Sequence, residues 1–148
     1  MEPRDPEFEH RVRGSFERQR FMATLGASLE RVVPGEVVIT FTHRDELTQQ
    51  HGFLHAGVMT SIADSACGYA ALSLMEPGVG VLSVEFKVNM LAPAVGERFV
   101  ARGRVVRSGR TLTVCSGEVT TERDGATVAV LMMQATMMAV RGKAGVAD

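Results

Sequence analysis

The chain has no tryptophan, one tyrosine and only two cysteines, Cys67 and Cys115, among 148 residues. Two thiols cannot build a disulfide framework or a four-cysteine zinc site. So few aromatic residues argue against a platform on which nucleic-acid bases stack. Net charge is nearly absent as well: 16 Lys and Arg stand against 17 Asp and Glu, which disfavours a generally basic nucleic-acid binder. No apolar run approaches the ~18 residues of a membrane-spanning helix, so no membrane partner is expected. The first twenty residues mix both signs of charge without an apolar stretch, which predicts no secretory leader and a cytoplasmic protein with both thiols reduced. What is present is ordinary for one globular domain: 45% hydrophobic and 22% charged residues in a chain long enough to bury a substantial core.

The periodicity changes along the chain. Phe8, Val12, Phe16 and Phe21 fall near helical spacing among mixed charges, predicting a surface helix over residues 6–22 that is weakest at Gly14. Residues 25–33 and 36–42 read as two strands around Pro34-Gly35. A polar, glycine-containing loop follows over 47–54. Residues 55–75 are rich in Ala, Leu, Met and Ser and read as one long helix stopped by Pro77-Gly78. Its broad face carries Val58, Met59, Ile62, Ala66, Tyr69, Ala70 and Leu72. The opposite face carries Gly57, Thr60, Ser61, Asp64, Gly68 and Ala71, and is small rather than strongly polar. Beyond it, Leu82, Val84, Phe86, Val88 and Met90 alternate with polar residues as a half-buried strand. Strands over 99–107, 111–121 and 127–140 complete an antiparallel meander, with Ser108-Gly109 and Asp124-Gly125 as turns. One apolar helix before a meander predicts an α+β domain with the sheet curled around that helix. Residues 1–24 read as a helical lead-in, 25–140 as the domain and 141–148 as a loose tail.

Asp64 is the only formal charge between Leu47 and Met75. A carboxylate on a helix bound for a core is costly unless it is paired or useful. It is either an interior group held by Thr60 or Ser61, or a general base or nucleophile in a dry site. His55-Ala56-Gly57 opens the helix, where backbone N–H groups lack internal partners and can hold an anion or an oxyanion. His51 and His55 lie four apart, yet no convergent third ligand is evident, so no metal is expected. There is no G-x-S-x-G, no P-loop and no G-x-G-x-x-G. Arg98, Arg102, Arg104, Arg107 and Arg110 form a basic run with no acid between them. It reads as a solvated sheet face, or as a means of attracting the phosphates of a nucleotide-bearing thioester. The methionine pairs Met132-Met133 and Met137-Met138 point to adaptable apolar surfaces.

Several segments together resemble a known family. Gln49-x-x-Gly52-x-x-His55-Ala56-Gly57, with Asp64 seven positions on and an Ala/Gly-rich run after it, is similar to the hotdog-fold acyl-CoA thioesterases of the phenylacetate-degradation type. So are Leu82-Ser83-Val84-Glu85-Phe86, Met90-Leu91-Ala92-Pro93 with Gly96-Glu97, and Val105 through Thr111. The similarity spans residues 25–140. It implies a homodimer whose sheets join edge to edge, paired further into a tetramer, with active sites built from two chains. It implies hydrolysis of an acyl-CoA to a carboxylic acid and free CoA, with no cofactor other than the CoA carried by the substrate. The catalytic set it implies is Asp64, Gln49, His55, Ala56, Gly57 and Ser83, with Asp64 as base or nucleophile, Gln49 orienting thioester or water, and the amides at Ala56 and Gly57 polarising the carbonyl. Val84, Arg107, Gly109, Arg110 and Thr111 are the implied substrate contacts. Two positions depart from the pattern: Ala56 where glycine is more usual, and Gln49 where asparagine is commoner. Other uses of such a fold are binding acyl-CoA without turnover and hydrating an enoyl thioester, for which His55 would have to join the carboxylate.

Overall fold

The computed structural model describes residues 1–146. Two short helices, α1 (Phe8–Arg18) and α2 (Arg20–Leu25), lead into strands β1 (Ser28–Val33) and β2 (Glu36–Thr42). A single 3-10 turn at Asp45–Leu47 precedes the long helix α3 (Ala56–Leu72). Four further strands follow: β3 (Gly80–Met90), β4 (Arg98–Ser108), β5 (Leu112–Arg123) and β6 (Ala126–Val140). They form one six-stranded antiparallel sheet in the order β1-β2-β4-β5-β6-β3. The sheet wraps α3, so the expected α+β hotdog architecture is the one observed.

The helix is buried almost all round. Ile62, Ala63, Ala66, Cys67 and Ala70 have no exposed surface, and Ala71, expected on the small face, is also in the core. Two glycines let the sheet approach so closely. Gly103 and Gly117 pair across β4 and β5 beneath α3. A Cβ on Gly103 would come within 2.3 Å of the Ala66 carbonyl, and one on Gly117 within 3.0 Å of Cys67 Sγ. Helix backbone therefore rests nearly on sheet backbone, an approach that side chains at these positions would block.

Three expectations change. The N-terminal helix lies on the surface as expected, with one side buried: Val12 and Met22 are fully buried, and Phe16 and Tyr69 meet edge to face at 5.8 Å and seat α1 on α3. Its weak point, however, is not Gly14; the helix breaks at Gln19, whose extended backbone (ψ 90°) separates α1 from α2. Leu25 accordingly ends α2 rather than starting β1. Arg11 fastens α1 to the far end of α3 by donating to the carbonyls of Leu72, Met75 and Glu76, with Asp5 3.3 Å from its Nε. A cation at a helix C-terminus satisfies orphan carbonyls and complements the dipole.

The third change concerns β3. A bulge between Ser83 and Glu85 interrupts the period-two alternation. Before the bulge Ser83 shares the inward face with buried Met137, and Leu82 faces outward with Met138. After it Phe86, Val88 and Met90 take the inward face, opposite buried Ala135, Met133 and Leu131. The strand is also an edge strand, so Val84, Phe86 and Met90 stay about half exposed instead of half buried as a set. Of the tail, Val146 lies against Gly80, and residues 147–148 fall outside the described part.

Candidate active site

Asp64 sits at the middle of α3, half-buried, facing β3. Ser83 Oγ donates to Asp64 Oδ1 at 2.7 Å. Of the two interior partners expected for Asp64, Ser61 is engaged elsewhere, its Oγ donating to the Gly57 carbonyl at 2.7 Å. Burial pushes the Asp64 carboxyl above its ordinary value, and the Ser83 hydrogen bond partly opposes this. A carboxylate so placed is a stronger base than one in open water, which is what proton abstraction near neutral pH requires.

Beside this pair lies a cavity of about 280 Å³ between α1 and α3. Asp64, Ser83 and Met137 line one end. Gly68 and Tyr69 continue along α3, and Ser15, Arg18 and Gln19 come from the α1–α2 junction. Sequence reasoning passed over these α1 residues. Nothing in their local pattern marks them, because only tertiary packing brings them to Asp64.

The other residues implied as catalytic gather at the start of α3. His55 is its N-cap, and its Nδ1 accepts the Gly57 N–H at 2.9 Å. The His55 ring must therefore carry its proton on Nε2. The very amide expected to polarise a carbonyl is thus held by the cap. Ala56 and Gly57 are exposed. Gln49 is turned into its own loop, where its Oε1 accepts the His51 N–H and its backbone bonds Phe53 and Gly52. His51 and His43 line a separate hollow with Glu97. Among the described residues no three His, Cys, Asp or Glu side chains are grouped so as to hold a metal ion.

These two clusters do not meet within one chain. Gly57 and Asp64 share a helix face, being seven residues and close to two turns apart, which separates them by about 10 Å along the axis. Val84 forms the bulge next to Ser83. The β4–β5 turn carrying Gly109, Arg110 and Thr111 closes through a Gly109 N–H to Leu112 carbonyl bond of 2.9 Å. It lies at the same end of the sheet as Ser83, since Thr113, Met137 and Ser83 form one row across β5, β6 and β3. That places the turn two strands, about 10 Å, from Asp64's partner. Arg107 and Arg110 are exposed there. The rest of the basic run is matched by acids from neighbouring strands: Glu36 meets Arg31, Arg102 and Arg104, and Glu30 meets Arg98. The two cysteines are buried free thiols that burial pushes well above the ordinary range, so they are poor nucleophiles.

Comparison with known proteins agrees with this architecture. Residues 51–128, which carry the helix start, Asp64 and Ser83, match the model of the Thioesterase superfamily. The chain belongs to that family. A solved thioesterase family protein from Silicibacter pomeroyi is 53% identical, covers 91% of this chain and 99% of that one, and superposes with a TM-score of 0.89. The PaaI protein of the E. coli phenylacetic acid degradation operon shares the fold at 20% identity and a TM-score of 0.83, over 93% of this chain and 96% of its own. Human acyl-coenzyme A thioesterase 13 is 28% identical over 120 residues, 80% of this chain and 85% of that protein. Two Saccharolobus solfataricus proteins carrying an esterase name are 32% and 33% identical, and the chain spans only 56% and 59% of their lengths. No helix among the described residues is long and apolar enough to cross a membrane.

Proposed function

We propose that this protein hydrolyses acyl-CoA thioesters, with Asp64 as the catalytic carboxylate and Ser83 as the group that holds it. The observation that carries this reading is the 2.7 Å Ser83–Asp64 hydrogen bond at the mouth of a cavity, on a carboxylate whose pKa burial has raised. Ser83 occupies Oδ1, which leaves Oδ2 to take a proton from water. Water then adds to the thioester carbon, the C–S bond breaks and CoA leaves as thiolate. Because a thiol has a pKa of about 8.5, the leaving group needs little help from an acid.

The oxyanion of the addition step requires a donor about 3 Å away, and the attacking oxygen must lie about 3–3.5 Å from the carbon. Within one chain the Gly57 amide is too far from Asp64 to serve the same carbonyl. A two-fold partner joined along β3 would run its own α3 antiparallel and bring its helix start to Asp64. The half-exposed apolar edge of β3 supports such a homodimer, and the small face of α3 leaves room for it. Substrate binding then displaces His55 Nδ1 from the Gly57 N–H, which turns to the thioester oxygen. Gln49 and Ala56 shape that end of the site, Val84 borders the reacting carbon, and Gly109 and Thr111 form the turn that presents Arg107 and Arg110 to the CoA phosphates. Dimers of this kind pairing into a tetramer, and a reducing cytoplasmic setting for the two free thiols, complete the reading. Thiol release from a set of acyl-CoA esters tests it: turnover above the uncatalysed rate is expected, and its absence across the set would reject it.

A further inference from the structure

We propose that Met137 is a positioning residue for the Ser83–Asp64 pair: its thioether sulfur is a second acceptor for the one Ser83 hydroxyl proton, and by competing for that proton it sets how tightly Ser83 holds the carboxylate. This rests on the hydrolase reading above and adds a control on the base. Met137 stands opposite Ser83 in the β3–β6 register and has no exposed surface. Ser83 Oγ lies 2.7 Å from Asp64 Oδ1 and 3.4 Å from Met137 Sδ, so both atoms are within reach of its hydrogen. A hydroxyl has a single proton to give, and the two acceptors must share it. Methionine often fills gaps in a core, but gap-filling alone would be indifferent to which atom meets the hydroxyl.

The two acceptors are unequal. An ionised carboxylate takes a charge-assisted bond, roughly twice as strong as a neutral one, whereas a thioether is a weak acceptor. With Asp64 ionised, the hydroxyl points to Oδ1. Once Asp64 takes a proton its charge is gone, and the sulfur gains a larger share of the hydroxyl. Met137 thus favours the protonated over the ionised carboxyl, which strengthens Asp64 as a base. Leucine in the same space would offer no acceptor. A neutral amide would offer a stronger one, drawing the hydroxyl off the carboxylate. The other titratable groups about Asp64 are Arg18 from the end of α1 and Tyr69 on α3, with Cys67 on α3 and Cys115 on β5 kept neutral by burial. Glu85 and Lys87 of β3 pair with Thr136 and Gln134 on the outer face of the sheet. None of these groups changes with the side chain at position 137.

The Asp64 carboxyl is titrated by NMR of its carboxyl carbon, the signal being identified by its loss in Asp64→Asn. Wild type, Met137→Leu and Met137→Gln are compared, each with and without Ser83→Ala. The midpoint should fall by about half a pH unit in Met137→Leu and rise by about one in Met137→Gln, the scale of one neutral hydrogen bond. In the Ser83→Ala background all three side chains should give one midpoint, because no hydroxyl remains to share. The acidic limb of kcat/KM for an acyl-CoA should follow the midpoint in every variant. Unmoved midpoints, an order unrelated to acceptor strength, or differences that persist in Ser83→Ala overturn the assignment and leave Met137 as packing. Should Met137→Gln fail to fold, Met137→Leu, a swap that cores usually accept, decides by itself. If wild type cleaves no thioester, the hydrolase reading fails, and the carboxyl titration still decides the role of Met137.

Discussion

Ser83 Oγ reaches Asp64 Oδ1 only because β3 bulges at Val84. Without the extra residue, the inward positions from Phe86 to Met90 would continue to Leu82 and Val84, and Ser83 would face away from α3. Bulges beside functional groups commonly re-aim a side chain in this way. Burial raises the pKa of the carboxylate and the bond partly opposes it, and a first prediction follows from that balance. Ser83→Ala removes the interaction that lowers the Asp64 pKa while burial, which raises it, remains. The ionised carboxylate is the active form. The acidic limb of the kcat/KM profile should therefore move to higher pH, and an unmoved limb would show that Ser83 does not hold the base.

Asp64→Asn should lower kcat by roughly 10²-fold or more, the ordinary scale of general-base catalysis. The same change should raise stability at neutral pH. Between the ordinary value of 3.8 and the raised folded value, the folded chain keeps a proton that the unfolded chain has released. Stability therefore falls as pH rises through that window, and asparagine cannot ionise. Melting curves at neutral and at acid pH should show the variant more stable at the former and close to wild type at the latter.

Gly103→Ala places a methyl within 2.3 Å of helix backbone at Ala66, where no flexible side chain can yield. A loss of about 3 kcal/mol, near the top of the usual overpacking range, is expected. Thermal unfolding should show it as a drop of roughly 10 °C for a chain of this size.

His55→Ala removes the N-cap acceptor of α3. Chemical denaturation should report a cost of about 1 kcal/mol. Turnover should fall by no more than about tenfold, because the Gly57 N–H itself survives; a much deeper loss would mean that the ring takes part in the reaction.

Phe86→Asp puts a charge on the inward face of β3, where 45% of the side chain is exposed in the single chain. If that edge joins two copies, sedimentation should show a folded monomer that no longer releases thiol from acyl-CoA. An unchanged oligomer, or a monomer with full activity, would contradict a site shared between chains.

Much of this was legible in the residues alone. Long helical spacing with a single charge made α3 recognisable, because a helix so poor in charge must be wrapped. Period-two patterns and Gly-containing turns marked the meander, because turn chemistry is local. Asp64 stood out since a lone carboxylate in an apolar stretch has no ordinary reason to be there. What needed the tertiary structure depends on residues far apart in sequence. The bulge at Val84 is decided by pairing with β6, and it alone turns Ser83 inward. The seating of α1 on α3 and the arrival of Gln19 beside Tyr69 come from packing between segments fifty residues apart. Gly68 and Gly103 are the same residue type in regular elements. Only the space around each tells that a Cβ would meet nothing within 4 Å at the first and helix backbone at the second.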